Sequence, residues 1–194
     1  MPDVEASFRI DQPPGRVWDF FQDISEVVTC MPGTELLART GEATYTGKIT
    51  VKLGPVTAAF EGEATIVETD HDARTARIEA SGIDRRGGNR AKASITYEVH
   101  DRDGDSRVRL SGAIKLSGAL AQIGRGGIVQ DVANHLTAQF SERLHEKLTL
   151  SGQEADADAD AQNLPQAIAG SQLTRVVVVA RIRRLIAALL GRNG

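Results

Sequence analysis

Cysteine, aromatic residues and long apolar runs are all scarce in this sequence, and each scarcity closes off a class of protein. Cys30 is the one cysteine among 194 residues. A lone thiol forms no internal disulfide, and no Cys or His stands at ligand spacing around it, which argues against both a disulfide scaffold and a zinc site. Its ordinary role is that of a small buried apolar side chain. Five Phe, two Tyr and one Trp supply few rings for stacking bases, and the bulk of the chain is not basic, so nucleic acid is not an expected partner. The first residues, MPDVEASFRI, are polar and alternating where a secretory signal would be basic and then apolar. A cytoplasmic protein is therefore expected.

The net charge of -3 conceals three unlike regions. Residues 151–163 carry Glu154, Asp156, Asp158 and Asp160 with no base, for -4, whereas residues 171–194 carry five arginines with no acid, for +5. The remainder is left at -4.

What is present is periodicity. Val4, Ala6, Phe8 and Ile10 alternate with polar neighbours and predict a half-buried strand. Pro13-Pro14 ends it and opens a helix with Val17, Trp18, Phe20, Phe21 and Ile24 at helical spacing. A second short helix, Ser25 to Cys30, stops at Met31-Pro32-Gly33. From Glu35 to about Leu116 alternating runs follow one another across turns, and no helix interrupts them, which predicts an antiparallel meander and excludes a parallel α/β sheet. Beyond Gly126-Gly127 a long helix is expected to about Leu150, with Ile128, Val132, Leu136, Phe140, Leu144 and Leu148 in one stripe. A sheet wrapped around that stripe is the helix-grip arrangement, an α+β fold.

The inward positions are the candidate ligand lining. They are Leu53, Val56, Ala58, Phe60, Gly62 and Ala64; Ile78, Ala80 and Gly82; Ala93, Ile95 and Tyr97; and Leu110, Gly112 and Ile114. Ile128, Val132, Leu136 and Phe140 of the long helix face them. Many are small. A concave sheet lined by small residues either leaves an apolar cavity or lets the helix pack close, with glycines bending the strands.

Three segments, VWDFFQDISEVVTCMPG (17–33), GPVTAAFEGEATIVETD (54–70) and LAQIGRGGIVQDVANHLTAQF (120–140), resemble the CoxG family of carbon monoxide dehydrogenase proteins, within the START/Bet v1-like (SRPBCC) superfamily. The likeness spans about residues 3–149. It implies the helix-grip fold, a hydrophobic cavity, and a non-catalytic accessory role to an aerobic molybdenum-dependent CO dehydrogenase or a related molybdenum hydroxylase at the cytoplasmic membrane. The family carries no catalytic motif to transfer.

The residues agree with that lack. Few polar groups fall on the inward faces. His71 and His100 sit at turns, and His135 and His145 do not converge on the helix. GIDRRGGNR (82–90) brings three arginines to a hairpin, either at a cavity mouth or on a solvated turn. LAQIGRGG (120–127) lacks the Lys and Ser/Thr of a phosphate loop.

Beyond the domain at 1–150, residues 151–172 are small, acidic and low in complexity, and a flexible tether of about 25 Å is expected there. Residues 173–194 read as a separate amphipathic helix. Val178, Val179, Ile182, Leu185, Ile186, Leu189 and Leu190 gather on one face, with Arg181, Arg183, Arg184 and Arg192 off it. The arginines break the apolar run well short of about 20 residues, which excludes a span and fits a helix lying in the interface of the inner membrane face. Docking onto another protein, or onto the domain's own groove, would use the same stripe. These parts give three candidate functions: a carrier of an isoprenoid quinone, menaquinone first; a cargo-free recruitment adaptor; and an enzyme like the polyketide aromatase/cyclases, which apolar inward faces disfavour.

Overall fold

The computed structural model describes residues 3–53, 55–122 and 127–162, with side chains as far as Leu150. β1 (Asp3–Ile10) alternates as expected, with Val4 and Ile10 buried. α1 (Pro14–Gln22) begins on Pro14, whose fixed φ suits a first helical turn, and buries Val17, Trp18 and Phe21. α2 (Ile24–Cys30) is capped by Asp23, whose carboxylate accepts the amides of Ser25 and Glu26. The meander then runs through β2 (Thr34–Arg39), β3 (Thr44–Leu53), β4 (Val56–Asp70), β5 (Thr75–Asp84), β6 (Asn89–Arg102) and β7 (Asp105–Ser117). These form one antiparallel sheet in the order β1-β7-β6-β5-β4-β3-β2. The chain thus lays β1 beside its last strand, and α1 and α2 carry it across to the far edge.

A 3₁₀ turn, Gly118–Ala121, follows β7, and no periodicity announced it. The long helix, α3, runs Ile128–Gln162. The expected end near Leu150 is therefore corrected, and residues 151–162, expected as the first half of a flexible tether, continue the helix. Alternating Ala and Asp have no apolar stripe to read, but alanine is the strongest helix former and no proline stands between Ile128 and Pro165. Residues to Glu154 form one compact unit; Ala155 onward belongs to a second, of which only the helical residues to Gln162 are described. No described helix is long and apolar enough to cross a membrane.

Among the described residues, the fully buried apolar side chains fall into two clusters. One cluster joins α1, the far halves of β6 and β7, and Phe140, Leu144 and Leu148 of α3. A second, smaller one joins Leu53, Ala58 and Phe60 of the β3–β4 hairpin to Leu120 of the 3₁₀ turn, with Ile128 and Val132 of α3 against it. The strands between them position the candidate site.

Candidate ligand cavity between two cores

Register places the inward residues on rungs that cross the sheet, because directly paired residues share a face. Ala76, Tyr97 and Leu110 make one rung, and Ile66, Ile78, Ile95 and Gly112 the next, which ends on Val4. Beyond them come Tyr45, Ala64, Ala80, Ala93 and Ile114, then Gly47, Gly62, Gly82, Ala91 and Leu116, then Ile49 and Phe60. The large cluster claims Tyr97 and Ala76 at one end; the small cluster claims Phe60 and Ala58 at the other. Between them lie two rungs in which seven of ten residues are glycine or alanine, with Ala91 and Leu116 packed against the small cluster. Their residues are only partly buried: Gly62, Ala64, Ala80, Gly82, Ala93 and Ile114 all keep some accessible surface, as do Ile95 and Gly112 of the adjoining rung.

The glycines and alanines of these rungs differ in kind. A Cβ on Gly62 would meet the backbone carbonyl of Ser81, and one on Gly112 the carbonyl of Ser94. Both glycines permit a close strand approach that bends the sheet. At Gly82 a Cβ would lie 3.2 Å from that of Phe60, tight but not prohibitive. Ala64, Ala80 and Ala93, partly buried and on the same face, are the positions where a larger side chain would test for spare volume.

Opposite them on α3, Val132 and Ile128 touch the small cluster and Phe140 is in the large one. Leu136, half-buried between, belongs to neither. Val56 departs from the expected lining. It is 37% exposed at the first position of β4. Sequence reasoning passed over Leu120, which lies in a turn without period, and over Thr34. The Thr34 hydroxyl shares the face of Ile49 and is, among the described residues, the one buried side-chain polar atom with no hydrogen-bond partner.

Each end of the gap is fixed by specific contacts. At the large-cluster end Phe21 stacks on Tyr97 at 4.9 Å and Trp18 lies 5.8 Å from it. Burial pushes the Tyr97 phenol up to about 12, with the Gln22 side chain pulling the other way, so it stays neutral. His71, expected at a solvated turn, accepts the indole N–H of Trp18 at 3.3 Å. At the small-cluster end the arginine-rich hairpin is held by two buried polar residues. Asn89 donates to Asp84 at 2.9 Å and accepts the amide of Leu120 at 3.2 Å, while Asp84 accepts the amide of Gly87 at 3.1 Å. The Asn89 and Gly87 donors hold the Asp84 carboxyl below its ordinary range. Arg85, Arg86 and Arg90 are exposed. The expected membrane-associating residues from Val178 to Leu190 lie outside the described residues.

No curated protein matches this chain. The sequence profile of the carbon monoxide dehydrogenase CoxG family matches residues 6–149. A conserved protein from Geobacillus kaustophilus is similar in structure, with a TM-score of 0.68 at 16% identity over 77% of this chain and 97% of that one. The Zhui aromatase/cyclase from Streptomyces sp. R1128 gives 0.54 at 12% over 75% and 92%. Protein Ms6760 from Mycobacterium smegmatis gives 0.55 at 15% over 77% and 92%. At these identities the likeness establishes the helix-grip fold and nothing about substrate.

Proposed function

The chain belongs to the CoxG family of carbon monoxide dehydrogenase proteins, and from that premise we propose that it carries an isoprenoid quinone, menaquinone foremost, between the membrane and an aerobic molybdenum-dependent CO dehydrogenase or a related hydroxylase. Membership makes it an accessory of the CoxG type. The observation that carries the cargo is the pair of small-residue rungs lying between two separate cores, with inward apolar residues left partly accessible. Binding sites for apolar ligands are built this way, from apolar walls with few polar groups.

The Thr34 hydroxyl, on the Ile49 rung at the small-cluster end, is a candidate for one such polar group. An unpaired buried hydroxyl costs on the order of 1–3 kcal/mol, and a quinone carbonyl is the acceptor that would relieve it. Acid-base chemistry finds little on the same faces. Among the described residues, the titratable side chains on the inward rungs from Ala76 to Phe60 are Tyr45, on β3 beside the edge strand β2, and Tyr97, which is held neutral. The basic amphipathic segment at 173–194 supports the membrane half of the reading.

Protein purified from its native host and examined by native mass spectrometry, with organic extraction in parallel, is expected to hold about one quinone per chain. A chain that arrives empty and takes no quinone from liposomes would leave the recruitment adaptor as the better reading.

A further inference from the structure

Antiparallel pairing sends the β3–β4 tip (53–56), the β5–β6 tip (84–89) and the end of β7 to one end of the sheet, and the β4–β5 and β6–β7 turns to the other. The two ends differ in charge. The turns at 70–75 and 101–105 hold five aspartates against Arg74 and Arg102. The opposite tips, taken with one flanking residue on each side, hold Lys52, Arg85, Arg86 and Arg90, all exposed, against Asp84 alone, which is buried in its bonds to Asn89 and Gly87. Glu61 lies across from Ile83 on the outer face, behind the tips. Two of the few large apolar side chains exposed on the domain lie at this same end, Val56 at 37% on the inward face opposite Leu53 and Ile83 at 45% on the outer face opposite Arg90. Bases with interspersed apolar side chains are what an anionic bilayer surface binds, cations at the headgroups and apolar groups below them.

We propose that this end of the domain is a second membrane contact, seated on anionic lipid headgroups and separate from the C-terminal segment. The contact orients the domain so that the small cluster of Leu53, Phe60 and Leu120, which closes the gap between the cores, faces the bilayer. It stands without any assumption about cargo.

The test uses the full chain carrying Ile83→Trp, with Ala73→Trp at the acidic end as its counterpart; native Trp18 is common to both. Vesicles are phosphatidylcholine mixed with phosphatidylglycerol, a brominated phosphatidylcholine acting as quencher. Quenching is expected at position 83 and not at 73. In the full chain, Arg85→Glu with Arg90→Glu is expected to weaken binding to these vesicles about tenfold or more. Arg85→Gln with Arg90→Gln, milder for folding, should give a smaller loss in the same direction, and circular dichroism should stay native. Vesicle binding that persists with neither tryptophan quenched overturns the proposal, leaving the cations to solvent or to an acidic protein. Equal quenching at both positions overturns it too, because the domain would then have no preferred face.

Discussion

At the scale of single residues, the small side chains of the middle rungs divide into two physical classes that composition alone could not separate. Gly62 and Gly112 answer to the neighbouring strand, since any Cβ there meets a carbonyl of that strand, and their replacement should damage the sheet whatever the domain binds. Ala80 and Ala93 are paired side by side on the inward face, partly buried and in neither core cluster, where the proposed cavity would lie. Filling the gap is therefore a test of the cavity that spares the sheet. Ala80→Leu is expected to reduce quinone uptake from liposomes at least tenfold while changing unfolding free energy by less than about 1.5 kcal/mol, because the added methylenes would enter free space. A loss of about 1–3 kcal/mol in chemical denaturation would instead mean a tightly packed core. Thr34→Val, assayed alongside, should leave the empty domain no less stable, because the change removes a hydroxyl that has no partner.

Among elements, what was legible in the sequence was whatever repeats. Alternation gave the strands and their inward faces, and the i+4 steps from Ile128 to Leu148 gave the helix that the sheet grips. What repetition could not give was the end of α3, where propensity persists after the apolar stripe has stopped, and the latch at the β5–β6 hairpin. Asp84 and Asn89 sit among glycines and arginines, surroundings typical of a solvated turn, and only the pairing of Asn89 with the Leu120 amide takes them out of water. That latch joins two elements and is pH-sensitive by construction. The Asp84 carboxyl is depressed from 3.8 in the fold, so the stability it contributes is present above that value and lost as pH falls through its lower folded value. Asn89→Ala should cost about 1–3 kcal/mol, by leaving the Leu120 amide unpaired. It should also flatten the acid limb of a stability-pH curve measured by urea unfolding. An acid limb as steep as the wild type's would remove Asp84 from that role.

At the scale of the whole molecule, net charge and charge arrangement pull in opposite directions. Outside the acidic and basic terminal stretches the chain carries -4, so the domain as a body is repelled by an anionic bilayer even though one of its ends is basic. On the membrane role proposed above, attachment would come from residues 173–194, which concentrate five arginines without an acid, while the basic end would contribute orientation and a short-ranged attraction. The two contributions separate by salt. At physiological ionic strength, charges more than about 8 Å apart are largely screened, which weakens the repulsion from the distant acidic turns more than the contact at the tips. Deleting 173–194 is accordingly expected to remove most binding to phosphatidylglycerol-containing vesicles while leaving a native circular dichroism spectrum, since the described core ends at Leu148. A weak residual binding should remain and disappear at high salt. Sedimentation that is unchanged by the deletion would place the attachment on the domain itself, and the terminal segment would then be free to bind the dehydrogenase.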